Sequence, residues 1–180
     1  LFKFHLIYFP LNQIYIILLG SFVIILTGLI DDIKGISAFN KFLFQIIASV
    51  IVVVGVKEFQ LVDWPFSSYF QSNLYNSFLS IFYIVSILNA INLIDGLDAL
   101  AGGISIIITI TFIVLSLLSG LIINELYRLF ILLGSLTAFI FYNKPPAKTF
   151  LGDSGSLFIG WLFAITSLTY ATKTAFSLSI

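Results

Sequence analysis

The chain has no cysteine and no methionine in 180 residues, one histidine and very little charge: eight Lys and Arg against eight Asp and Glu. The absence of cysteine excludes disulfides, thiolate nucleophiles and Cys-ligated metals. Zero net charge without a basic run leaves electrostatic capture of nucleic acid unsupported. The lack of methionine, even at position 1, leads us to expect an internal fragment, truncated at both ends, and nothing at the start reads as a cleavable signal peptide. What is abundant is apolar surface. Sixty per cent of residues are hydrophobic, and the mean hydropathy is +1.16. A soluble domain of this size has no core large enough to hide that much, so lipid must be the solvent for most of it.

A membrane helix needs about 20 apolar residues. Six stretches meet or approach that length, at about 12–30, 40–56, 77–94, 100–123, 126–142 and 155–172. The expected fold is all-α, a polytopic transmembrane helix bundle forming one domain over residues 1–180. The one sizeable loop, between the second and third spans, carries Trp64, Phe66, Tyr69, Phe70 and Tyr75, the composition of an interfacial aromatic belt. His5 receives no role.

Three polar clusters interrupt the apolar text: GLIDDIKG at 28–35, NAINLIDGLDALAGG at 89–103 and NKPPAKTFLGDSGS at 143–156. They hold five of the eight acidic residues, Asp31, Asp32, Asp95, Asp98 and Asp153. Carboxylates beside membrane spans need a partner and mark function by default. Counting spans puts all three clusters on the same face of the membrane, which favours one shared site. Lysine and arginine divide evenly between the two faces, so the positive-inside rule does not orient the chain.

Asp31 and Asp32 suit a hard cation such as Mg²⁺, which takes one or two carboxylates plus phosphate oxygens and water; one of them could instead serve as a general base, and a solvated turn is the bland alternative. Asn89, Asn92 and Asp95 recur every three residues and line one side of the third span, before Gly96 and Asp98; interhelical hydrogen bonding by the amides is the structural alternative. In the third cluster Asn143 ends a span, Lys148 offers a cation for phosphate, and Asp153 sits on a flexible Gly-Asp-Ser-Gly segment whose amides could hold an anion at a helix N-terminus. Phe150 faces lipid or stacks on a planar ligand. Lys41, one turn before Gln45, snorkels to the interface or neutralises a diphosphate.

These motifs, in this order, resemble the polyprenyl-phosphate N-acetylhexosamine-1-phosphate transferases, over about residues 20–165. The likeness is nearest to the bacterial branch that starts O-antigen and wall teichoic acid synthesis; the phospho-N-acetylmuramoyl-pentapeptide transferases are relatives. The resemblance implies transfer of a sugar 1-phosphate, N-acetylglucosamine 1-phosphate by branch, from a UDP-N-acetylhexosamine to undecaprenyl phosphate with release of UMP. It implies dependence on Mg²⁺, with Mn²⁺ as a substitute, and a multi-pass protein of the bacterial inner membrane whose active site faces the cytoplasm. A homodimer is a further expectation. Carried over by position, Asp153 resembles the metal ligand, and Asp31 and Asp32 the essential pair that contacts metal or diphosphate or deprotonates the lipid phosphate. Asn92, Asp95 and Asp98 match the nucleotide-sugar motif, and Asn143 and Phe150 match residues around the uridine. Asp31, Asp32, Asp95 and Asp98 are thus the expected catalytic set, with Lys41, Asn89, Asn92, Asn143, Lys148 and Phe150 binding substrate. One departure falls in the second motif, where the family's D-G-L-D-G-L-A reads D-G-L-D-A-L-A, with Ala99 for glycine, a change expected to be tolerated. The family's amino-terminal spans and its His-rich loop have no counterpart here; the full family has about ten or eleven spans, so these six are part of a larger fold. Two other readings compete: a transporter whose acids handle protons or cations, and an inactive membrane fragment that retains the motifs.

Overall fold

The computed structural model describes the backbone of residues 10–60, 72–119 and 123–178. Trp64, Phe66, Tyr69 and Phe70 of the expected aromatic belt, and His5, lie outside the described residues. The described chain is helical throughout: α1 (Leu11–Lys34), α2 (Ala38–Gly55), a 3₁₀ turn (Lys57–Gln60), α3 (Asn73–Ile94), α4 (Leu100–Ser119), α5 (Ile123–Asn143) and α6 (Gly152–Leu178). Each of the six α-helices is long and apolar enough to cross a membrane. The chain is a multi-pass membrane protein, and the all-α bundle expected from hydropathy is borne out.

The helix ends differ from the hydropathy reading in a consistent way. The first helix does not stop at Asp31-Asp32 but runs to Lys34, and α3 and α6 begin before their apolar stretches do. Hydropathy detects only the part of a helix that lies in hydrocarbon, whereas hydrogen bonding carries the helix on through its polar ends. Ile123, read as the end of the fourth span, opens α5 instead, because the uncharged text LSLLSGLII carries no strong polar mark at the boundary between two helices.

The chain divides into two compact units. Among the described residues, 10–92 and 152–178 make the larger, and 93–151 the smaller. In the larger unit α6 is the central helix: 61% of its apolar window is buried, against 28% for each of α1, α2 and α3. Its Leu157, Trp161, Ala164 and Leu168 join a core with Ile24 of α1, Val52 of α2 and Ile84 and Leu88 of α3. Two polar pairs cross that core, where no water reaches to satisfy them. The Trp161 indole N–H donates to Ser21 Oγ at 2.8 Å, and the Tyr83 hydroxyl to Ser167 Oγ at 2.9 Å. Small residues admit the close crossings. A Cβ on Gly160 would lie 2.9 Å from Leu88 Cα, and one on Gly28 2.6 Å from the backbone nitrogen of Ser154. Away from this core, Leu18 and Phe22 of α1, Val54 of α2 and Phe78 and Phe82 of α3 are exposed, as expected of faces that meet lipid.

In the smaller unit α4 and α5 pack along each other. Ala101, Ile113, Leu129 and Leu136 are buried, and Gly102 lets the Phe139 ring approach.

Candidate active site

Within the larger unit, the C-terminal ends of α1 and α3 meet the N-terminal ends of α2 and α6, and the polar residues of the motifs meet with them. Asp31 and Asp32, adjacent near the end of α1, point to different partners, as a 100° step around a helix requires. The helix closes at Gly35, whose N–H donates to the Asp31 carbonyl at 2.8 Å. The Asp31 carboxylate accepts the N–H of Ile36 at 2.7 Å on Oδ1. Ser37 then caps α2 by accepting the Asn40 N–H, which places Lys41 in the first turns of that helix. The Lys41 ammonium forms ion pairs with Asp31 Oδ2 and with Asp153 Oδ2. On its other side, Asp153 Oδ1 accepts from Asn92 Nδ2 at 2.8 Å, and the same amide donates to Ser156 Oγ at 2.9 Å.

Asp32 does something else. Its Oδ1 accepts the Asp153 N–H at 2.8 Å, while its Oδ2 accepts the Ser154 N–H at 3.0 Å and the Ser154 hydroxyl at 2.6 Å. A carboxylate from α1 therefore caps α6, satisfying orphan amides at the positive end of the helix dipole. Those amides do hold an anion, and it is the chain's own. Gly152, at φ +68°, brings the backbone to within contact of Asp32; a Cβ there would lie 3.0 Å from both Asp32 oxygens.

Asn89 lies one turn deeper. Its Nδ2 donates to Gln45 Oε1 at 2.6 Å and to the Val85 carbonyl at 2.7 Å. This is the interhelical bonding weighed for it, made to the fully buried Gln45.

The remaining motif residues belong to the smaller unit, where they join the loop after α3 to the loop after α5. Asn143 is 5% exposed; its Oδ1 accepts the Ala99 N–H at 2.9 Å and its Nδ2 donates to the Thr149 carbonyl at 2.8 Å. Asp98 Oδ2 accepts the Ala147 N–H at 3.1 Å. Asp95 is half-buried in the turn after α3, and the side chains of Lys148 and Phe150 are exposed.

Ala99 adopts φ +63°, the left-handed region, the one non-glycine residue to do so among those described. The substitution for the family's glycine is accommodated, but it falls where glycine is free of the Cβ clash that costs an L-residue about 1–2 kcal/mol. Ala99→Gly is accordingly expected to stabilise the smaller unit by about 1 kcal/mol. Thermal unfolding in detergent checks it, and a lower midpoint for the glycine variant would contradict the assignment.

Sequence reasoning singled out the carboxylates and amides but missed Gly28, Ser154 and Ser156. Ser154 lies next to Asp153 and Ser156 three residues on, in a motif read for Asn143, Lys148, Phe150, the acid and its neighbouring amides but not for its serine hydroxyls. Gly28 lies four residues before Asp32, on the same helix face, and that spacing was the available signal.

The donor set can be tested against a metal. Among the described residues, no group of three His, Cys, Asp or Glu is gathered for metal binding. Mg²⁺ asks for less, one or two carboxylates completed by phosphate oxygens and water. Asp31 and Asp153 supply two hard oxygens that converge on one cationic centre, the Lys41 ammonium. Asp31 and Asp153 share that one ammonium, an excess of negative charge that a divalent cation would balance. The residues fit the ion.

Comparison with known proteins agrees with the motifs. The model for glycosyl transferase family 4 matches residues 14–171, and the chain belongs to that family. It is 42% identical over 168 residues to a probable undecaprenyl-phosphate N-acetylglucosaminyl 1-phosphate transferase of Bacillus subtilis strain 168, covering 91% of this chain and 46% of that protein. It is 33% identical over 172 residues to the phospho-N-acetylmuramoyl-pentapeptide-transferase of Staphylococcus saprophyticus, with 87% and 53% covered. The corresponding enzyme of Staphylococcus aureus strain JH9 is 34% identical over 172 residues. The chain thus spans about half the length of the curated relatives it matches. The family resemblance read from the motifs is borne out.

Proposed function

We propose that the protein transfers a sugar 1-phosphate from a UDP-sugar to undecaprenyl phosphate, releasing UMP, at the cytoplasmic face of a bacterial inner membrane. The donor we assign is UDP-N-acetylglucosamine, and the product begins a cell-envelope polysaccharide. One observation carries this reading: Asp31, Lys41, Asn92 and Asp153 converge at the ends of four helices, where a lipid phosphate and a soluble nucleotide can meet.

In the reaction an oxygen of the lipid phosphate attacks the β-phosphorus of the UDP-sugar, and the bond to the oxygen bridging the two phosphates breaks as UMP leaves. Attack of one anion on another is opposed by charge repulsion, and positioned cations and amides lower that barrier. Asp31 and Asp153 would hold Mg²⁺, which when bound neutralises charge developing on the phosphoryl oxygens. Lys41 supplies the mobile positive charge for the diphosphate, and Asn92 fixes the rotamer of Asp153. Asp32 acts by position: it locks the start of α6 against α1 and so sets where Asp153 stands. Asp95, Asp98, Asn143, Lys148 and Phe150 we assign to the nucleotide-sugar side on the family resemblance, with the exposed Phe150 ring available to stack on uracil. The lipid acceptor is supported by an apolar groove of about 620 Å³ between α2 and α3, lined by Phe42, Val50, Phe78, Phe82 and Asn89 among others. Phe42 adjoins Lys41, and Asn89 lies a turn below Asn92, so the groove opens beside the charged cluster. Among the described residues, the acids lie at helix ends and not at mid-span, which favours this reading over a transporter.

The test is UMP release by the purified protein from UDP-N-acetylglucosamine and undecaprenyl phosphate. Chelation of divalent cations is expected to stop it and added Mg²⁺ to restore it, with Mn²⁺ substituting. Turnover that persists after exhaustive chelation would remove the metal from the scheme. No UMP from any of several UDP-sugars would remove the transferase.

A further inference from the structure

We propose that Lys41 is the resident counter-ion of the Asp31–Asp153 pair and competes with the divalent cation for it, so that this lysine sets the protein's metal affinity. The proposal rests on the reading above that this pair holds the metal.

The two carboxylates are each tied on one oxygen by a neutral donor. Asp31 Oδ1 is held by the Ile36 N–H at 2.7 Å, and Asp153 Oδ1 by Asn92 Nδ2 at 2.8 Å. Their remaining oxygens, both Oδ2, point at the Lys41 ammonium. The acids are therefore fixed in orientation by α1 and its following turn and by α3, whereas Lys41 reaches the site on a flexible four-carbon stem. Of the three partners, the lysine is the one able to leave. Its side chain is 18% exposed and those of Asp31 and Asp153 are 12% and 25% exposed, enough shielding for like charges to repel strongly and enough opening for an exit.

Asp31 and Asp153 would hold a divalent cation through the same Oδ2 atoms that the Lys41 ammonium now occupies. Lys41 could not keep both contacts at bonding distance beside such an ion, because two positive charges that close repel each other. Lys41 would then leave the carboxylates, its ammonium free to pair with a phosphate of the substrate. The lysine would serve first as a stand-in for the metal, keeping the carboxylates from repelling each other, and then as a ligand for substrate. In this account it is a positioning residue for the metal as well as a phosphate-binding one.

Mn²⁺ binding to the purified protein in detergent, followed by electron paramagnetic resonance without any substrate, tests this. Lys41→Met and Lys41→Gln are expected to bind Mn²⁺ about 5-fold or more tightly than the parent. Equal or weaker binding by folded variants would overturn the proposal. Should both variants fail to fold, the unaltered protein decides: the rate at which an amine-reactive reagent labels Lys41, read by mass spectrometry, is expected to rise severalfold on saturation with Mn²⁺. An unchanged or slower rate would overturn it. Because neither readout needs turnover, the two readings fail separately. A protein that releases UMP but shows no lysine effect loses only this inference, and one that binds no Mn²⁺ loses the metal assignment as well.

Discussion

Asp153→Asn is expected to lower sugar-phosphate transfer by about 10³-fold or more, a loss comparable to or beyond that of a principal electrostatic group at a reacting phosphate. The carboxylate has two distinct neighbours: Lys41 on Oδ2 and Asn92 on Oδ1. Asparagine offers one acceptor and one donor, so one neighbour is left facing an N–H group with nothing to accept. The hard anionic oxygen suited to Mg²⁺ is lost at the same time. Stability should suffer far less. Lys41 keeps its pair with Asp31, and the Asp153 side chain is 25% exposed, so the cost is about 1 kcal/mol. Thermal unfolding and a UMP-release assay on the same preparation separate the two effects. Activity within tenfold of the parent would remove Asp153 from the proposed metal site.

The second large effect is steric and involves no polar group. Gly28→Ala is expected to reduce activity about 100-fold and to destabilise the fold by about 3 kcal/mol. A Cβ at Gly28 would sit 2.6 Å from Ser154 N and 2.8 Å from Asp153 C. These are backbone atoms at the start of α6 and cannot rotate away, so α1 and α6 must part, the overpacking response whose usual cost is 1–3 kcal/mol. Parting them stretches the bonds from Asp32 to Asp153 and Ser154 and moves the Asp153 carboxylate, and a displacement of about 1 Å can cost about 100-fold in rate. Gly134→Ala is the control. No atom lies within 4 Å of a Cβ built there, and alanine favours a helix over glycine by about 1 kcal/mol. An alanine at 28 as harmless as one at 134 would show that the α1–α6 contact is looser than described.

These two positions also show what the amino-acid text discloses. Asp153 was legible because a carboxylate beside an apolar run has few explanations. The six helices were legible for a related reason, since apolar runs of their length have one solvent. Gly28 was not, because a glycine in a membrane helix is common and its meaning lies in the strand of backbone that crosses it, 126 positions further on in the sequence. The division of labour between Asp31 and Asp32 was equally hidden: it depends on which side of a turn α6 arrives, and nothing local to residues 31 and 32 records that. Ala99 lay between the two cases. Its departure from the family pattern was visible, while the positive φ that gives the departure a cost was not.

The bonds from Asp32 to the start of α6 join residues 121 and 122 positions apart, and this separation bears on how the protein is made. At a synthesis rate of about 5–20 residues per second, α1 waits roughly 6–24 s before the start of the helix that its carboxylate caps has been made. Over that interval Asp31 and Asp32 have no partner in α6. Their place at a helix end lets water hold them meanwhile, whereas the same charges at mid-bilayer would bear several kcal/mol each for the whole wait. A site built from the rims of helices can therefore be assembled late without exposing its acids to hydrocarbon early, and the order of synthesis becomes a physical reason for finding this chemistry at the membrane surface.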